Sequence, residues 1–132
     1  MDWSEIAAEL KNLLHLKSEP VAIRRFESAM ELDNIKNVIR LTRNFTFCQV
    51  PFLVRVMNQT IGITKQDPLA DRCSRLNGLR PATEKSMQAE AQMLSQTWFG
   101  SVEDALRQQQ ETPRIPVAEA IVVAPLRKNK FE

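Results

Sequence analysis

The sequence predicts an α+β fold, several amphipathic helices packed on a small, incomplete β-sheet, in a single domain over residues 1–132. Apolar side chains recur at intervals of three and four in several segments, the period of a helix with one buried face. Between these segments lie short runs rich in β-branched residues and bounded by proline or glycine, which suit strands. The composition, 43% hydrophobic and 26% charged with only three glycines, is that of a globular chain and not of a disordered or fibrous one.

The elements follow in order. Asp2 and Glu5 have the spacing of a helix cap and its return contact, and Trp3, Ile6, Leu10, Leu13 and Leu14 form an apolar stripe behind them, so the chain opens with a helix. A strand begins at Pro20 and runs through Phe26. Glu27 to Asn44 has no clean period and reads as loop with room for a short helix. A helix from Phe47 to Asn58 is apolar almost all round, broken only by Gln49 and Arg55, and such a helix is expected to be buried; Pro51 fits in its first turn. Thr60–Thr64 reads as a short strand. A further helix opens at Pro68, passes through Leu69, Arg72, Cys73 and Leu76, and stops at Asn77-Gly78; Asp67 is expected to cap it.

From Thr83 to Trp98, a narrow stripe of Met87, Ala91, Leu94 and Trp98 on an otherwise polar segment predicts an outer helix. Ser101 and Asp104 recap the chain for the next helix, whose Gln108-Gln109-Gln110 run reads as a solvated end. Thr112 to Pro116 is an extended two-proline connector. Glu119–Ala124 is continuously apolar, as a strand buried on both faces would be. Only the mostly charged Leu126 to Glu132 follow it, which leads to the expectation of a sheet unfinished within this chain.

A formal charge of +2, from 18 basic and 16 acidic residues, is too small for the long-range field that draws proteins to nucleic acid. The basic end Arg127-Lys128-Asn129-Lys130, with Phe131 beside it, reads as a solvated tail. No apolar run approaches the roughly 20 residues that cross a bilayer, and Met1-Asp2-Trp3-Ser4-Glu5 is acidic where a signal peptide would be basic. These features predict a cytoplasmic protein with neither nucleic acid nor membrane as partner.

No Gly-rich phosphate loop, G-x-S-x-G or H-E-x-x-H is present, so no catalytic residue is assigned. Cys48 and Cys73 are the candidate metal ligands, and with Gln49 and Asp67 they form the candidate cofactor-binding set. Two thiolates do not complete a zinc or iron–sulfur site, each of which takes about four ligands. The ordinary role of each cysteine is a small buried hydrophobe, and in a cytosolic setting a disulfide between them is not expected. His15, the only histidine, falls late in the first helix and would present a polar edge at its end.

Four segments carry a family resemblance: Leu16-Lys17-Ser18-Glu19-Pro20-Val21-Ala22-Ile23; Phe47-Cys48-Gln49; Ile63-Thr64-Lys65-Gln66-Asp67 with Cys73 and Asn77-Gly78-Leu79 after it; and Val122-Val123-Ala124-Pro125-Leu126. In this order they resemble the domain of unknown function 169 family, the prokaryotic uncharacterised ArCR proteins. Cys73 lies further beyond Asp67 than that pattern has it, across Pro68-Leu69-Ala70-Asp71-Arg72. The resemblance implies that this chain corresponds to the N-terminal half of the family fold, with further strands and another cysteine segment in the other half.

Three functions from different classes are expected on this basis. The first is a non-catalytic or incomplete cofactor-handling subunit of a prokaryotic redox-type metabolic complex, held to a partner subunit or to a second copy. The second is a small enzyme using Cys48 or Cys73 as nucleophile or as metal or iron–sulfur ligand. The third is an interaction module that pairs through the edge of its Ile121 to Ala124 strand.

Overall fold

A computed structural model describes residues 2–113 and 115–128 of the chain. The α+β class is observed: helices lie against a four-stranded mixed sheet of order β1-β4-β3-β2. The strands are β1 (Val21–Phe26), β2 (Val38–Arg40), β3 (Thr60–Thr64) and β4 (Ala120–Pro125). β4 runs antiparallel to β1, from Val21 opposite Pro125 to Phe26 opposite Ala120, and antiparallel to β3, from Ile61 opposite Val123 to Thr64 opposite Ala120. β2 pairs parallel to β3, with Val38 opposite Thr60 and Arg40 opposite Gly62.

The continuous apolar run of β4 is explained by this central position, since every one of its residues is buried. The same position overturns the expectation of a free edge at Ile121 to Ala124. The ladder groups of that segment are taken by β1 on one side and β3 on the other, so no partner strand can add there. The sheet edges are β1 and β2. β2 arises in a segment without a readable period, because it is three residues long with Ile39 and Arg40 exposed. The same segment also holds a 3₁₀ turn, Ala29–Asn34, opened by a capping box in which Ser28 Oγ accepts from Met30 N and Ser28 N donates to Glu31 Oε1.

Strand side chains alternate between two faces. On one face Ile61, Ile63, Ile121 and Val123 meet Val50 and Val54 together with Leu41, Leu69 and Leu79, which makes the principal core. On the other, Phe26, Ala120 and Val122 meet Leu32 of the 3₁₀ turn. Gly62 makes the second arrangement possible, because a β-carbon there would lie 2.5 Å from Val38 Cγ1.

The helices are α1 (Trp3–Leu13), α2 (Gln49–Met57), α3 (Asp71–Leu76), α4 (Glu84–Ser95) and α5 (Val102–Glu111). Asp2 caps α1 as expected, its Oδ1 accepting from Ser4 N at 2.8 Å. His15 is not part of that helix. It takes the left-handed conformation, φ 49°, just beyond the end, where Leu16 N donates to the Lys11 carbonyl at 2.9 Å, and Leu13 and Leu14 are exposed rather than in the stripe. Gly78, φ 72°, closes α3 in the same way, with Leu79 N donating to the Ser74 carbonyl at 2.9 Å. Thr83 and Ser86 box the start of α4, and Ser101 Oγ accepts from Asp104 N to start α5.

Three further expectations are corrected. Trp98, three residues beyond the end of α4 at Ser95, is 83% exposed and does not join the buried stripe. Gln109 is not on a fully solvated end, since both polar atoms of its side chain are buried without a hydrogen-bond partner among the described residues. Helix α3 starts at Asp71 and not at Pro68, because Leu69 instead forms a parallel bridge with Phe45. The expected solvated tail lies mostly outside the described residues, at 129–132. Among the described residues no helix is long and apolar enough to cross a membrane.

Candidate functional site

Asp67 sits just after β3, where Thr64 Oγ1 and the Thr64 backbone close a tight turn. Asp67 Oδ2 accepts from Thr64 N at 2.6 Å and from Thr64 Oγ1 at 2.9 Å. Arg40, at the end of β2, donates from Nη2 to the same oxygen at 2.5 Å and from Nε to Oδ1 at 3.3 Å. Arg40 Nη2 also donates to Thr64 Oγ1 at 3.0 Å. The expected helix cap is therefore replaced by a two-pronged ion pair between the buried Asp67 and a half-exposed Arg40, which ties β2 to the β3 turn. With both carboxylate oxygens engaged, Asp67 is a structural clamp. A ligand would have to displace Arg40 to reach it.

Cys48 stands at the position before α2, exposed and making no side-chain bond to the helix start; the ordinary expectation of a buried thiol does not hold for it. Gln49 opens α2, and its Oε1 accepts from Thr46 N at 2.9 Å, which closes the turn leading into the helix. Cys73 lies in α3, half-buried against the principal core, and its carbonyl accepts from Asn77 Nδ2 at 2.8 Å. What the fold adds is adjacency. Phe45 N donates to the Pro68 carbonyl at 3.1 Å and Ala70 N donates to the Phe45 carbonyl at 2.8 Å, so the segments that carry the two cysteines run side by side. Among the described residues, no three His, Cys, Asp or Glu side chains gather as a metal site. The pair by itself does not fit a zinc ion or an iron–sulfur cluster, each of which takes about four ligands.

Two features of the surface escape sequence reasoning. The first is the outer face of α2. Val50 and Val54 are fully buried, but Phe52 and Val56, one turn apart on the opposite side, are 61% and 66% exposed, with Met57 at 51% beside them. The second is a cleft of about 300 Å³ where α1, the segment before β1, the end of α2 and the 3₁₀ turn Leu126–Lys128 converge. Lys11 Nζ donates to Glu19 Oε1 at 2.7 Å, with Arg127 Nη1 3.9 Å from the same oxygen, and this contact with Lys11 holds the Glu19 carboxyl below the usual range. The all-round apolar run of α2 and the basic residues spaced along Lys11 to Lys17 are visible in sequence. Which of them meet is not.

A family model described as domain of unknown function 169, uncharacterised ArCR, matches residues 9–132. The chain belongs to this family. The matched span takes in the domain of unknown function 169 segments that hold both cysteines, the Asp67 clamp and all four strands of the sheet. No curated protein and no solved structure matches the chain.

Proposed function

We propose that this family member is a non-catalytic subunit that associates with a partner protein through the outer face of α2. The observation that carries this reading is the conflict between the composition of α2 and its surroundings. A helix apolar almost all round is usually covered on more than one side. Here one side packs on the sheet, while Phe52, Val56 and Met57 stay open to solvent. Contiguous apolar side chains of this kind mark association surfaces, and their burial is worth roughly 25 cal/mol per Å². The partner expected on this face is a protein segment that is itself apolar, since Arg55 is the one charge on α2.

Native mass spectrometry of the protein purified anaerobically from its host tests the proposal. A defined complex is expected, released as free subunit when Phe52→Asp and Val56→Asp are introduced together. A monomer at every concentration, for wild type and variant alike, would reject it.

The side-by-side course of the two cysteine segments favours a second reading, in which the same assembly is a prokaryotic redox-type complex and this subunit contributes Cys48 and Cys73 to a cofactor that the partner completes. Metal analysis of the intact complex then shows metal or iron–sulfur that is lost in Cys48→Ser or Cys73→Ser. Metal content equal in wild type and both variants excludes the ligand role, and an activity lost in Cys48→Ser alone would point to a thiol nucleophile instead.

A further inference from the structure

We propose that the cleft formed by Lys11, Lys17, Arg55 and Arg127 around Glu19 binds a small phosphate-bearing anion. The lining brings four cations to one carboxylate. Ion pairs also form away from this cleft, Arg40 with Asp67, Arg72 and Arg75 with Glu90, Arg80 with Asp71, Lys65 with Glu119 and Arg107 with Asp104, each cation there having a carboxylate of its own or sharing one with a single other. In this cleft Glu19 serves both Lys11 and Arg127, while Lys17 and Arg55 have no carboxylate partner among the described residues. A chain whose two signs are nearly balanced overall thus gathers four cations around one carboxylate in this concavity.

The geometry favours a compact dianion over other ligands. Like charges held together in a concave, partly desolvated site repel one another, and an anion placed between them relieves that repulsion. Arg55 and Arg127 offer planar forks that match phosphate oxygens in pairs, and Lys11 has ammonium hydrogens beyond the one given to Glu19. A cleft of about 300 Å³ accepts a phosphate group and a modest substituent, and is too small to track a polymer backbone. The carbonyl end of α2 also meets this region and opposes an anion. Arg55, in the last turn of that helix, offsets this end and presents its fork to the cleft beside Lys17 and Arg127. Neither the outer face of α2 nor either cysteine enters this inference.

The test is a titration of the full-length protein with inorganic phosphate, followed by amide chemical shifts and calorimetry, with acetate as the singly charged comparison. Saturable shifts centred on Lys17, Arg55 and Asn58 are expected, with affinity falling steeply as salt is raised. Lys17→Gln with Arg55→Gln should weaken phosphate binding by roughly tenfold or more, because each removes a charge-assisted contact. Neither side chain has an ion-pair partner to lose, so the thermal melting of this double variant should match wild type. Absence of saturable phosphate binding, shifts located elsewhere, or equal binding by the double variant would overturn the proposal. Acetate binding as tightly as phosphate would overturn the assignment to phosphate.

Discussion

At the scale of single residues, the most informative side chain is Asp67, because its sequence context and its structural role diverge. An aspartate before a proline is an ordinary helix cap, but here the proline is extended and the carboxylate turns back to Thr64 and Arg40. Asp67→Ala would leave the Thr64 N–H buried without an acceptor and Arg40 without its partner. It should lower stability by about 2–4 kcal/mol, read from urea unfolding, whereas Arg40→Ala should cost less because that side chain is half in solvent. Glu19 gives a pH signature. Its folded carboxyl is depressed, mainly by the Lys11 hydrogen bond, so its contribution to stability is complete above the ordinary glutamate range and is lost as pH falls through the lowered folded value. Stability measured against pH in the acidic limb should therefore be shallower in Lys11→Ala than in wild type. The Asp67 role could not be read from the chain, since Arg40 and Asp67 are 27 positions apart and nothing local joins them.

At the scale of elements, local signals that rest on backbone chemistry were sufficient. The cap at Asp2, the Ser101 cap, the Gly78 stop and the Thr60–Thr64 strand all follow from residues within a few positions of one another. Elements defined by pairing were not legible. β2 exists because β3 offers it a ladder, and Leu69 is extended because Phe45 does the same. Trp98 shows the cost of following a period past the end of its helix. α2 can be dissected directly. Val50→Ala and Val54→Ala should each destabilise the subunit by about 1–3 kcal/mol, measured by thermal or urea unfolding, because they open cavities in a fully packed core. Phe52→Ser and Val56→Ser should change the stability of the isolated subunit by less than about 0.5 kcal/mol and act on association instead.

At the scale of the whole molecule, the last strand organises everything before it. β4 enters between β1 and β3, so strands from the two ends of the chain are neighbours and the sheet closes around the final apolar run. The same closure draws Lys11, Glu19, Arg55 and Arg127 into one cleft, while a separate bridge between Phe45 and Leu69 brings the Cys48 and Cys73 segments alongside each other. By itself the sequence determined the α+β class, the family, most helix boundaries to within a few residues and the burial of the Ala120–Pro125 run, because period, capping and turn chemistry are local properties of the chain. Only the tertiary structure decided that β4 is central and not an edge, that Asp67 is a clamp and not a cap, and that one face of α2 is uncovered. Each of these depends on which distant segment supplies a hydrogen bond, a counter-charge or an apolar surface, and that choice is made by the packing of the whole molecule.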